Sequence, residues 1–150
     1  MFYTRFVNLE PNMLFGFNDS EFKKATASIF VALLVFGFVP IINLIRIIPF
    51  FKEILLGAVV VVAFTTISDT KRAIKFTLVT GMIAAVAFNV VYIPGSFVLG
   101  GLVGMAGGSE APGGMALLQG LGALTNIIGL LFMSPIGYAI GGVVGSILNQ

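Results

Sequence analysis

Histidine, cysteine and tryptophan are all missing from the 150-residue chain, and charge is scarce. Without cysteine there can be no disulfide, thiolate metal site or iron–sulfur cluster. Zinc and haem lose their commonest ligands when histidine is missing as well. The same absences rule out a Ser-His-Asp or Cys-His nucleophile. We therefore expect no enzyme, no cofactor and no bound metal. Charged residues make up 9% of the chain, where a soluble domain carries about 25%. A globule built from this composition would leave large apolar areas in water and aggregate. Eight basic and six acidic residues give a net charge of +2. They do not cluster into the basic face that nucleic acid requires, so no nucleic-acid partner is expected.

What is present is apolar. Hydrophobic residues reach 58% and the mean hydropathy is +1.10, which makes lipid the solvent. The expected class is an all-α, multi-pass helical membrane protein. Thirteen of the fourteen charged residues lie between Arg5 and Lys75, leaving Glu110 alone in the second half. Fifteen of nineteen glycines fall between Gly95 and Gly145. The first half suits headgroups and water, and the second suits close packing in a dry environment.

Residues 1–22 hold Phe2, Tyr3, Phe6, Phe15, Phe17 and Phe22 among polar residues, with Pro11 as a break. No uninterrupted apolar run follows Arg5, so this is neither a signal peptide nor a span. Aromatic rings among polar groups suit the headgroup layer, which predicts an interfacial arm ahead of one transmembrane domain over 23–150. A bilayer core about 30 Å thick needs roughly 20 helical residues. Start and stop signals then delimit six hydrophobic segments. Asp19-Ser20-Glu21 caps a span over 25–45, with Pro40 as a kink and Arg46 as its stop. Pro49 opens a run to Ile67, and Ser68-Asp69 caps a span over 76–93. Pro94 opens a short glycine-rich run to Gly107. Ser109, Glu110 and Pro112 precede a span over 115–133, and Ser134-Pro135 starts the last, near 135–148.

These form three pairs hinged at Pro49, Pro94 and Pro135. The short members, 94–107 and 135–148, are each about 21 Å of helix, either half-helices or spans of a thinned bilayer. Six crossings with a cytoplasmic N-terminus satisfy the positive-inside rule. Lys23, Lys24, Lys71, Arg72 and Lys75 then act as interface anchors, and Arg46 and Lys52 lie outside. Lys52 and Glu53, about 100° apart on a helix, are expected to snorkel toward headgroups.

A shift of 41 residues lays Pro94–Gly104 over Pro135–Gly145, with identities at the prolines and at Gly100/Gly141, Gly101/Gly142, Val103/Val144 and Gly104/Gly145. Gly81 also falls on Gly122. The expected repeat covers about 76–108 and 117–149, in parallel orientation. Each unit carries a small-residue ladder at i, i+4 spacing: Ser96, Gly100, Gly104 and Gly108, then Gly137, Gly141 and Gly145. Such ladders let another helix backbone approach closely, either within the chain or from another subunit. Asn43, Asn89, Gln119, Thr125 and Asn126 are read as interhelical hydrogen-bond glue. Glu110 is a possible ion site, but its place in a turn favours a helix-terminus role.

The reading is a structural or accessory subunit of a larger membrane assembly, acting through glycine-mediated helix packing. Its partners would be the bilayer, a possible bound lipid, and other membrane subunits or copies of itself. A channel or transporter for a small solute is the alternative, and a viral or phage membrane protein a further one.

Overall fold

The computed structural model describes residues 13–38, 50–106 and 127–150, with the helical backbone alone over 100–106. Among these residues the fold is all-α apart from one small hairpin. Strands β1 (Met13–Leu14) and β2 (Phe17–Asn18) pair antiparallel, Leu14 opposite Phe17. Phe15 and Gly16 join them with φ of 55° and 84°, the double positive φ of a two-residue type I′ turn. Asn18 accepts the Ser20 N–H at 3.0 Å and so caps α1 (Asp19–Phe38), one residue before the expected cap. Lys23 bonds Asp19 one turn back at 2.7 Å.

Phe22, Ala25, Ile29 and Leu33 form the buried stripe of α1, at the three- and four-residue spacing of one helix face. That stripe lies along α3 (Thr70–Ala106). At one end Phe17 and Phe22 meet Phe76 edge-on, at 5.1 and 6.3 Å. At the other, Phe38 meets Tyr92 at 5.5 Å, and Gly37 sits under the Phe88 ring. The two helices are therefore parallel. Two rings expected at the headgroup layer, Phe17 and Phe22, are turned into the core, while Phe15 stays exposed.

Helix α2 (Phe51–Phe64) follows Phe50, which has a φ of 66° and provides no side-chain cap. It stops three residues short of the expected Ile67. Thr65 turns back onto the Val61 carbonyl through both its N–H (3.1 Å) and its Oγ1 (2.7 Å). Asp69 then caps α3 by accepting the Arg72 N–H at 2.7 Å.

Pro94 does not divide α3, which runs through it for 37 residues. The expected segments 76–93 and 94–107 thus merge over the described residues. A proline removes one backbone donor, whereas ending one helix and starting another orphans four C=O and four N–H groups. In apolar surroundings the single loss is the smaller penalty. Ser96 Oγ additionally donates to the Ile93 carbonyl at 2.8 Å. At Pro135 the chain uses a different device. A π-helical turn, Gly129–Met133, leads without interruption into α4 (Ser134–Leu148). The Ser134 N–H reaches back to the Gly129 carbonyl, and the wider turn accommodates a residue with no N–H. Neither proline is a hinge between separate helices.

Six segments are not confirmed among the described residues. Two described helical runs, Thr70–Leu99 and Gly129–Leu148, are long and apolar enough to cross a membrane. At 14 residues, α2 falls short, and α1 carries Asp19, Glu21, Lys23 and Lys24 in its first turns. Pro49 and the segment boundaries at 107–126 lie outside the described residues, as does most of the arm.

Helix α4 docks between α2 and α3. Along it Gly137, Gly141 and Gly145 meet Glu53, Gly57 and Val61 in ascending order, so α2 and α4 are parallel. Tyr138 and Gly142 meet Gly81 and Thr77 in descending order, so α3 is antiparallel to α4. Asn149, just past α4, donates its amide to the carbonyls of Val61, Thr65 and Ile67 at 3.2–3.3 Å. This ties the end of α4 to the end of α2 and the α2–α3 connection. Asn149→Ala should lower stability by about 1 kcal/mol, the net worth of a part-buried hydrogen-bonding group. Thermal unfolding in detergent checks this, with Asn149→Asp, which replaces the donor by an acceptor, at least as damaging.

Candidate functional site

The site is built on the two faces of α4. Its first face is glycine at every fourth position, the narrowest surface a helix can offer. A methyl group added to Gly141 would sit 2.6 Å from the Ile54 carbonyl oxygen and 2.9 Å from Gly57 Cα. One added to Gly57 would sit 3.1 Å from Gly141 Cα. Glycine thus faces glycine, and the α2 and α4 backbones touch. Gly145 lies against Val61 Cβ and the Ala58 carbonyl, and Gly137 against Glu53 Cβ. At this range Cα–H···O contacts and dispersion join the helices.

The second face turns to α3. A methyl group on Gly142 would lie 2.9 Å from Ile74 Cα and 3.0 Å from the Ala73 carbonyl. The Tyr138 ring fills the space that Gly81 leaves open, within 2.5 Å of where a Cβ there would be. Thr77 Oγ1 donates to the Tyr138 carbonyl at 2.8 Å, and Ser146 Oγ lies 3.2 Å from Thr70 Oγ1.

Where these faces meet lies a buried charge pair. Glu53 is 6% exposed, with Lys52 Nζ 3.5 Å from its Oε1. The Lys52 side chain is 30% exposed. Gly137, the residue that touches Glu53, adjoins Tyr138, which touches Gly81. Gly81 follows the start of α3 at Thr70 by about 16 Å at 1.5 Å per residue. The pair and the start of α2 therefore sit about 16 Å in from the end of the bundle where α3 begins. This differs from the expected snorkelling to one end. Adjacent helical positions diverge, but the long lysine stem bends back to reach the carboxylate.

Two other polar side chains of α3 bond to their own helix. Thr80 Oγ1 donates to the Phe76 carbonyl at 2.7 Å, and Asn89 Nδ2 to the Ala85 carbonyl at 2.8 Å. The buried Asn89 Oδ1 and Tyr138 Oη find no partner among the described residues.

Of the remaining expected site residues, Ser96 hydrogen-bonds within α3, and Gly100 and Gly104 are helical there. Gly108 and Glu110 lie outside the described residues. Lys23, Lys24, Lys71, Arg72 and Lys75 are all exposed. Because Phe17 and Phe22 meet Phe76, both basic clusters share one end of the bundle. Sequence reasoning missed Gly57, Gly81, Gly142 and Tyr138 as contact residues. Gly57 and Gly81 are lone glycines inside apolar runs, which was the available signal.

Gly141→Ala should destabilise the bundle by about 1–3 kcal/mol, the range for overpacking a tight contact. Gly129, around which a side chain would meet open space within 4 Å, is the control, and Gly129→Ala should leave stability unchanged or slightly raised. Thermal unfolding of the two variants in the same detergent checks the contrast. Comparison with known proteins adds no identity: no family model, no curated protein and no solved structure matches the chain.

Proposed function

We propose that this chain is a non-catalytic integral membrane protein, a structural or accessory subunit of a larger membrane assembly. The observation that carries the reading is the division of its surfaces. Every described helix leaves large apolar side chains exposed: Val31 and Val35 on α1, Leu55 and Val59 on α2, Val86 and Val90 on α3, Phe132 in the π-helical turn and Ile136 on α4. The contact between α2 and α4, by contrast, is backbone meeting glycine. Apolar stripes outside and small residues inside are the arrangement expected where lipid is the solvent. In this reading α3 and α4 cross the bilayer with α1 alongside, and α2 enters to half depth. The half-helix is then α2, and not 94–107 or 135–148. The shared basic end would face the cytoplasm by the positive-inside rule.

A second reading, a channel or transporter for a small solute, is favoured by one observation, the Lys52–Glu53 pair. Ionisable residues at mid-membrane are costly and usually mark a path or a coupling site. A conduit also needs a continuous polar lining. The hydroxyl of Thr80 and the amide nitrogen of Asn89 are instead engaged by their own helix, which supports the scaffold.

Purified chain in liposomes should pass neither ions nor small neutral solutes, and from native membranes it should leave mild detergent at fixed stoichiometry with partner subunits or with itself. Flux that Glu53→Gln abolishes would overturn the scaffold reading. Cysteines at Lys24 and Lys71 should both label from the same side of the membrane, and labelling from opposite sides would contradict the topology.

A further inference from the structure

We propose that Arg72 and Lys75, beside Phe17, form a seat for the phosphate of an anionic phospholipid. The inference rests on the membrane reading above and goes beyond general anchoring, because it assigns the preference to two residues. Arg72 Cζ and Lys75 Nζ each lie 5.8 Å from the centroid of the Phe17 ring. They are three residues apart on α3, hence neighbours on one helix face, and Lys71 is four residues from Lys75. Like charges at these spacings repel and destabilise a helix. Among the described residues no carboxylate lies within ion-pair distance of either. Asp69, three residues before Arg72, and Asp19, two residues after Phe17, have other partners. Asp69 accepts the Arg72 backbone N–H as the α3 cap, and Asp19 holds Lys23 at 2.7 Å.

The surroundings fit a diacyl lipid and not a small free anion. Phe17 is buried beneath the two cations, and the hairpin tip beside it exposes Met13, Leu14 and Phe15. A phosphodiester between the cations would leave acyl chains beside that apolar tip. Arginine gives forked hydrogen bonds to phosphate, and lysine adds a point charge. This end of the bundle, where the apolar run Thr70–Leu99 begins, is also where headgroups would lie.

The test is lipid retention in nanodiscs containing equal phosphatidylglycerol and phosphatidylcholine, read by mass spectrometry of the lipids that stay with the purified protein. The wild-type chain should retain the anionic lipid on the order of tenfold over the zwitterionic one. Arg72→Gln and Lys75→Gln should each remove most of that preference, while Arg72→Lys keeps part of it. Lys24→Gln, at the same end but away from Phe17, should keep it in full. Equal retention of both lipids by the wild type would overturn the proposal. So would a loss in Lys24→Gln as large as in Arg72→Gln, since the effect would then be diffuse charge. Displacement of the lipid by inorganic phosphate would make a free anion the ligand and overturn it too. Flotation with phosphatidylcholine liposomes separates the two readings. A chain that does not float sinks the membrane reading, whereas one that floats without lipid preference sinks only this seat.

Discussion

The contact between Gly57 and Gly141 sets the geometry on which the other packing depends. Two helices whose backbones touch have their separation and relative height fixed together, because only glycine at both positions allows the approach. Fixing Gly141 on Gly57 places Gly137 on Glu53 and Gly145 on Val61, one turn away on either side. The same height brings Tyr138 to the gap at Gly81 and Gly142 to Thr77 on α3. Helix α4 thus acts as a ruler between two neighbours that touch each other less. At its far end Asn149 fastens the α2–α3 connection.

One consequence is the position of α2. Its register against α4 leaves it starting level with Gly137, about 16 Å in from the end where α3 begins, with Glu53 held against Gly137. A carboxylate so placed is tolerable only with its countercharge close by, and Lys52 provides it. The partly exposed lysine and the buried glutamate form a neutral unit at the start of a short helix. Elsewhere Thr80 and Asn89 return to carbonyls of their own helix, whereas Thr77, Ser146 and Asn149 make polar contacts between helices.

Class and composition were legible in the sequence because apolar excess and missing chemistry are one-dimensional properties. The i, i+4 spacing of Gly137, Gly141 and Gly145 was equally visible, since it follows from helical period alone. Two things were not visible. Proline was read as a boundary at Pro94 and Pro135, but the penalty of orphaning helix ends in an apolar environment exceeds that of one lost donor, so the helices continue. The depth of Lys52 and Glu53 depends on tertiary register between α2 and α4, which no local pattern encodes. Adjacent charges near a helix start look alike whether that start lies at a surface or midway through a bundle. For the same reason Gly57 and Gly81, lone glycines inside apolar runs, mark a close contact without revealing what they meet.

The central claim is that Gly57 and Gly141 form one contact, and a double-mutant cycle tests it most directly. Alanine at either position forces the α2 and α4 backbones apart, so the second alanine should meet a contact already opened. Unfolding free energies of Gly57→Ala, Gly141→Ala and the double variant should then be non-additive by at least about 0.5 kcal/mol, the lower bound for residues in direct contact. The double variant should cost less than the sum of the singles. Additive effects, or two silent single substitutions, would mean that the backbones do not meet there, and the register built on that contact would fall with it.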